Sequence, residues 1–280
     1  MSFDFSHIFE KQFKLFFDED DMNRNFNYIQ SLPHHDVTCH LKLKDDMILA
    51  GLPFFFETFN YLSKDNLDYS EFLEFEGKTF SKNENKEITF ELPFNIALSA
   101  ERLALNLLQR ASSIATFTNE FVKQAGDVRV LDTRKTTPGL RFLEKYAVIK
   151  GGGYNHRFGQ MDAWMVKDNH KTYFGGVRPA IEFFQDLKSN YQPIIVEIHD
   201  VKELLEVSEL GVFNFMLDNF SINELHNAIE LKKSNWHYEV SGGITLENIK
   251  DYSIKGIDAI SSGSITYNAP QVDLSLKFTK

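Results

Sequence analysis

The chain has 280 residues, 42% hydrophobic and 25% charged, enough for a sizeable core in one large or two modest domains. A formal net charge of -10 excludes a general nucleic-acid binder, which needs a broad basic face. The longest apolar run, Met47 to Phe56, is broken by Gly51 and Pro53 and falls short of the roughly 20 residues that cross a bilayer; the lone Cys39 and the acidic start then give the expectation of a cytoplasmic protein with no membrane partner.

In chain order, a helix is expected from Phe3 to Phe17, a strand-like run into a turn from Asp46 to Pro53, and alternating segments at Glu71 to Glu76 and Glu87 to Leu92. These describe a small α+β domain over residues 1–110. A long amphipathic helix is expected from Ile96 to Gln124, with Leu103, Leu107, Ile114, Phe117 and Phe121 at helical spacing, bridging to a second domain. The 27 phenylalanines read as core packing. From residue 127, short runs rich in β-branched residues alternate with helical segments. The predicted strands are Val128 to Asp132, Ala147 to Lys150, Ala163 to Lys167, Ile194 to Ile198, Phe213 to Asp218, His237 to Ser241 and Ala259 to Ser262. Helices fall near Leu140 to Tyr146, Arg178 to Lys188, Val201 to Leu210, Ile222 to Lys232 and Leu246 to Lys255, with none between 150 and 163. Such alternation makes a parallel sheet, so the fold class is α/β and residues 111–269 are expected to form an open, seven-stranded β/α barrel.

Parallel barrels carry their chemistry at the C-terminal ends of the strands, and here almost every strand ends in a functional residue type. The stretch from Asp132 to His170 holds seven Lys or Arg against four Asp or Glu, a cationic island in an acidic chain. Arg134 and Lys135 follow the first strand beside a Thr-Thr-Pro-Gly turn; a basic pair is often only solvated, but a guanidinium at a strand end binds carboxylate or phosphate bidentately. His156 and Arg157 follow three glycines that permit close backbone approach to a ligand, against the plainer reading of a loop cap. Lys167 lies on an apolar strand, where it needs Glu197, Asp218 or a ligand as partner.

Glu197 and Asp218 end successive strands and would meet on the rim, where two carboxylates can hold Mg2+ or the hydroxyls of a sugar, or pair with Lys167. The loops SGGIT (Ser241 to Thr245) and SSGSIT (Ser261 to Thr266) follow the last two strands, the usual place for a barrel phosphate site. His34, His35, His40 and Cys39 lack the spacing of a four-ligand zinc site. The residues alone thus describe a phosphorylated sugar meeting an acid.

The segments ERLALNLLQRASSIAT (Glu101 to Thr116), LDTRKTTPGLRFLEKYAVIKGGGYNHRFG (Leu131 to Gly159), VKDNH (Val166 to His170) and MLDN (Met216 to Asn219), with SGGIT and SSGSIT, carry a resemblance. The sequence resembles the quinolinate phosphoribosyltransferases, also called carboxylating nicotinate-nucleotide pyrophosphorylases. The likeness is close from about residue 95 onward and looser before it, through ILAGLP (Ile48 to Pro53).

The resemblance implies that quinolinate and phosphoribosyl pyrophosphate are the substrates and nicotinate mononucleotide, pyrophosphate and carbon dioxide the products, in de novo NAD biosynthesis. It implies an N-terminal α/β sandwich joined to the open barrel, with the tail 270–280 returning to the first domain. By the same likeness Arg134, Lys135, His156, Arg157 and Lys167 would surround the quinolinate carboxylates, and Arg102 would come from the neighbouring subunit of a homodimer. Lys135, Lys167, Glu197 and Asp218 would be catalytic, with Glu197 and Asp218 facing ribose and Mg2+. Ser241, Gly243, Ser262 and Gly263 would take the sugar-phosphate side. Three positions depart from the family pattern: Ile195 replaces the first acid of a Glu-x-Glu, Tyr267 replaces a histidine, and no Gly-Asp-x-Thr lies around Phe26 to Leu32. The alternatives are a paralogous enzyme acting on another acid and a non-catalytic protein that binds NAD precursors.

Overall fold

The computed structural model describes residues 6–20, 26–63 and 67–280. In chain order the elements are α1 (Ser6–Glu19), α2 (Phe26–Ser31), β1 (Asp36–Leu43), β2 (Met47–Ile48), α3 (Leu52–Leu62), β3 (Thr79–Phe80), β4 (Glu87–Pro93), α4 (Phe94–Ala125), β5 (Arg129–Leu131), α5 (Arg141–Lys150) and β6 (Trp164–Val166). There follow α6 (Asp168–Phe174), α7 (Val177–Leu187), β7 (Ile194–Ile198), α8 (Val201–Val207), β8 (Asn214–Asp218), α9 (Ile222–Glu230), β9 (His237–Ser241), α10 (Ile249–Tyr252), β10 (Ala259–Ser261), α11 (Ser264–Tyr267) and β11 (Leu274–Thr279). Two compact units divide them: Met1–Phe117, Thr137–Gly151 and Ala269–Lys280 form the first, Thr118–Thr136 and Gly152–Asn268 the second. Among the described residues no helix is long and apolar enough to cross a membrane.

In the first unit, β11, β1 and β4 make an antiparallel sheet in which Leu41 pairs with both Leu276 and Ile88. Alternating side chains on β1 and β4 put Val37, Cys39, Leu41, Ile88 and Phe90 into the core, the period-2 signature of a sheet with one buried face. Helix α3 supplies the facing aromatics, with Phe55 and Phe56 at 5.9 and 5.2 Å from Phe90. The turn before α3 requires glycine: Gly51 has φ 102, and a Cβ there would lie 2.8 Å from Ala111 Cβ on α4. Ser112 completes the join by bonding both N–H and C=O of Ala50 at 3.1 Å. The helix expected from Phe3 to Phe17 is present over Ser6–Glu19, and residues 3–5 lie outside those described.

Glu71 to Glu76, expected to alternate as a strand, instead forms a 3-10 turn over Ser70–Phe75. Its alternation serves packing and capping: Phe72 stacks on Phe56 at 5.1 Å, while the Glu76 carboxylate accepts from the N–H groups of Gly51 and Leu52, both at 2.9 Å. Tyr146 of α5 donates to the same carboxylate at 2.9 Å. The wholly buried Glu144 ties α5 to α4, accepting from Arg110 Nε at 3.0 Å and Nη2 at 2.8 Å.

In the second unit the parallel strands run β5-β10-β9-β8-β7-β6. Ala147 to Lys150 is not the second strand of this sheet but the last turn of α5, with Ala147 and Val148 buried and Ile149 exposed. A short β-branched apolar run cannot be told from a buried helical turn by periodicity, and the Gly151 N–H closes that turn onto Ala147 O at 2.9 Å. The seventh strand position is reduced to a single parallel bridge, Leu131 to Tyr154. Among the described pairings none joins Tyr154 to β6, so the barrel stays open there. Helix α6 was not anticipated from the sequence.

Register sorts the side chains. Val130, Val196, Ile198, Leu217, Tyr238, Val240 and Ile260 share one face of the sheet and are buried at 0 or 1% exposure. The alternate positions, Met165, Glu197, Met216, Asp218, Glu239, Ser241 and Ser261, face the other way and carry nearly all the polarity. That division fills one face with packing and leaves the other for chemistry.

Candidate active site

The C-terminal strand ends of the second unit enclose a cleft of about 330 Å³. Arg134, Lys135, His156, Arg157, Lys167, Glu197, Asp218 and Ser241, all singled out from the sequence, line it. Gly243, Ser262 and Gly263 lie in the adjoining loops instead. Arg102 is exposed on α4, in the first unit.

The loop that carries His156 and Arg157 is held by an acid that sequence reasoning overlooked. Asp132, fully buried just after β5, accepts from Asn155 Nδ2 at 2.6 Å and from the His156 N–H at 2.9 Å, pinning the glycine loop to the strand. The signal was a carboxylate at the end of an apolar strand, where burial demands a partner. The next N–H, that of Arg157, donates to His156 Nδ1 at 2.7 Å. The Arg157 guanidinium donates to Ala163 O at 3.0 Å. Burial, then the like charge of Arg134, holds that guanidinium below the usual arginine range. Arg134 Nε is itself buried with no hydrogen-bond partner among the described residues. Two neighbouring guanidiniums with an unmet donor form a site that an anion completes.

The acids stand on neighbouring strands. Glu197 pairs in register with Met216, two residues before Asp218, so both carboxylates face the cleft. Lys167 bonds Glu197 through Nζ, so the lysine expected on an apolar strand has its partner. Asp218 accepts from Asn219 Nδ2 at 2.7 Å. Asp168, Glu197 and His199 also converge, each offering one ligand atom within 4.8 Å of the others.

The two glycine-bearing loops lean on each other. A Cβ at Gly242, whose φ is 92, would fall 2.3 Å from Asn219 Oδ1, so this glycine admits the neighbouring loop. Gly243 is open, with nothing within 4 Å of a Cβ position. Ser262 spends its hydroxyl on Ile244 O at 2.7 Å and so joins the loops, while Ser261, with a buried hydroxyl lacking a partner among the described residues, reaches the cleft. Gly263 packs against Tyr267 and the Lys135 stem: a Cβ there would lie 2.7 and 2.9 Å from them.

An open β/α barrel with guanidiniums and lysines facing carboxylates at its strand ends defines a barrel enzyme for anionic substrates. The family models for the quinolinate phosphoribosyl transferase N-terminal and C-terminal domains match residues 25–112 and 114–277. The chain belongs to the quinolinate phosphoribosyltransferase family. It is 42% identical over 197 residues to a probable carboxylating nicotinate-nucleotide pyrophosphorylase of Bacillus subtilis, covering 69% of this chain and 68% of that one. With the protein so named in Methanocaldococcus jannaschii it shares 38% identity over 259 residues, 86% of each chain. The solved nicotinate-nucleotide pyrophosphorylase of Francisella tularensis superposes with a TM-score of 0.85 at 33% identity, covering 98% of this chain and 97% of that one.

Proposed function

We propose that this cleft joins quinolinate to phosphoribosyl pyrophosphate and releases nicotinate mononucleotide, pyrophosphate and carbon dioxide. The observation that carries the reading is the buried Nε of Arg134, without a hydrogen-bond partner among the described residues, in one cleft with the guanidinium of Arg157, opposite carboxylates suited to ribose hydroxyls or a metal ion. Arg134, Arg157, Lys135 and Lys167 hold the quinolinate carboxylates and aim the ring nitrogen at the anomeric carbon. Glu197 and Asp218 face the ribose, where positive charge develops as pyrophosphate departs. Once alkylated, the ring nitrogen carries a positive charge that stabilises the electron pair left on the adjacent ring carbon when its carboxylate departs as carbon dioxide; that carbon then takes a proton from water, so no general base is needed for that step.

Mg2+ fits the donor set: a hard ion takes oxygen ligands, and Glu197 and Asp218 present carboxylates on adjacent strands with room for substrate phosphates. It would supply charge neutralisation for the leaving pyrophosphate. We further place this chain in a homodimer in which Arg102 of one subunit completes the cleft of the other. Purified protein given both substrates and Mg2+ should release pyrophosphate and carbon dioxide together. Turnover with nicotinate but not quinolinate would overturn the assignment. For the dimer, mixing Arg102→Ala and Lys135→Ala proteins should restore activity that neither has alone; no recovery counts against a shared site.

A further inference from the structure

Beneath the cleft, on the far side of His156 and Arg157, lies a second cavity of about 310 Å³ that shares those two residues and is also lined by Glu239, Asn214 and His237. Glu239 is a buried acid in the middle of β9, with no part in the reading above. Its Oε2 lies 3.3 Å from His156 Nε2, with both side chains almost wholly enclosed at 7 and 8% exposure. Its Oε1 is buried without a hydrogen-bond partner among the described residues. A carboxylate is costly to keep there, and the imidazole is the titratable group it faces.

The ring geometry assigns a tautomer. His156 Nδ1 receives the Arg157 backbone N–H at 2.7 Å, so that nitrogen must present a lone pair. The proton of the neutral ring is then on Nε2, which lies 3.3 Å from Glu239 Oε2, a close approach that falls short of hydrogen-bond geometry and that the carboxylate favours by its charge. Asp132 holds the backbone of the same residue. The ring thus lies between the Glu239 carboxylate at Nε2 and the Arg157 N–H at Nδ1, and the residue that follows it carries the guanidinium.

We propose that Glu239 is a positioning residue: it locks His156 in the Nε2–H tautomer, and through the Nδ1 bond sets Arg157 for its anion. The imidazole then acts as a fixed strut rather than a proton donor to the cleft, since its bare nitrogen is already taken by Arg157. This rests on the quinolinate reading for the ligand named below, but not for the tautomer itself.

The test uses full-length protein labelled with 15N-histidine, the His156 signals being assigned by their loss in His156→Asn. Wild type should show a bare Nδ1 and a protonated Nε2. Glu239→Ala should give averaged signals from both tautomers and weaken quinolinate binding by about tenfold or more, the scale for removing an outer-shell partner of an oriented histidine. Glu239→Gln, whose amide oxygen can still accept, should keep the wild-type pattern and most of the affinity. Glu239→Met fills the same space without an acceptor and replaces the alanine variant should that fail to fold. A protonated Nδ1 in wild type overturns the proposal, as do unchanged signals and affinity in the variants without an acceptor. If no form binds quinolinate, the proposed substrate is wrong, and the tautomer change alone still decides the role of Glu239.

Discussion

Lys167 Nζ, from the residue just after β6, meets Glu197 Oε2 on the neighbouring strand β7, the lysine side chain 45% exposed and the carboxylate only 8%. Such a pair contributes little to stability, because half of it remains in water, and much to arranging charge. Lys167→Met should lower unfolding stability by only about 1 kcal/mol yet reduce turnover by about 100-fold or more, the scale of losing one preorganised donor. Urea unfolding and the coupled pyrophosphate assay measure the two separately; equal losses in both would make the lysine merely structural.

Arg157 is expected to bind substrate directly. Arg157→Ala should weaken quinolinate affinity by roughly 2 to 4 kcal/mol, as for truncating one partner of a desolvated charge pair. Calorimetry with unchanged affinity would take Arg157 out of the pocket.

Arg110 makes two bonds to the wholly buried Glu144. Removing the arginine leaves a wholly buried carboxylate with the Thr137 N–H at 3.0 Å but without this charged partner, so Arg110→Ala should cost about 3 to 5 kcal/mol. Replacing both residues by Met and Leu should recover most of that loss in denaturant melts.

Glu76 caps the start of α3, yet burial raises its pKa more than its hydrogen bonds lower it. A carboxyl with a raised folded-state pKa binds more protons folded than unfolded, so its contribution is full below the unfolded value, near 4.5, and is lost as pH rises through the folded value. Wild type should therefore lose stability relative to Glu76→Gln over that interval. A difference independent of pH would show that the carboxyl keeps its ordinary pKa.

Gly242 lets the loop at Asn219 approach. Gly242→Ala combines a left-handed backbone with a clash and should cost about 1 to 3 kcal/mol, with a matching rise in KM for phosphoribosyl pyrophosphate. A melt and a kinetic profile identical to wild type would refute that role for the turn.

Much of this was legible in the chain. Strands β6 to β10 and the long helix α4 followed from periodicity, because burial of one face imposes a repeat that the residues must honour. Ala147 to Lys150 and Glu71 to Glu76 misled for the same reason in reverse: a short apolar or alternating run satisfies several backbones, and a neighbour chooses among them. In the first case the choice falls to the Gly151 turn, in the second to the α3 amides that Glu76 caps.

The sequence by itself determined the alternation, the strand-end chemistry and the family, since residue type and order carry those. It also located the cations and acids, because each sits at the end of a readable strand. Only the tertiary structure decided which polar groups are already spent. Ser262 turns inward to Ile244, Asp132 disappears beneath the glycine loop, and Glu239 approaches His156 from a strand far along the chain. Hydrogen-bond partners are set by three-dimensional proximity rather than by spacing, and for a buried polar group the partner decides whether it binds a ligand or holds the fold.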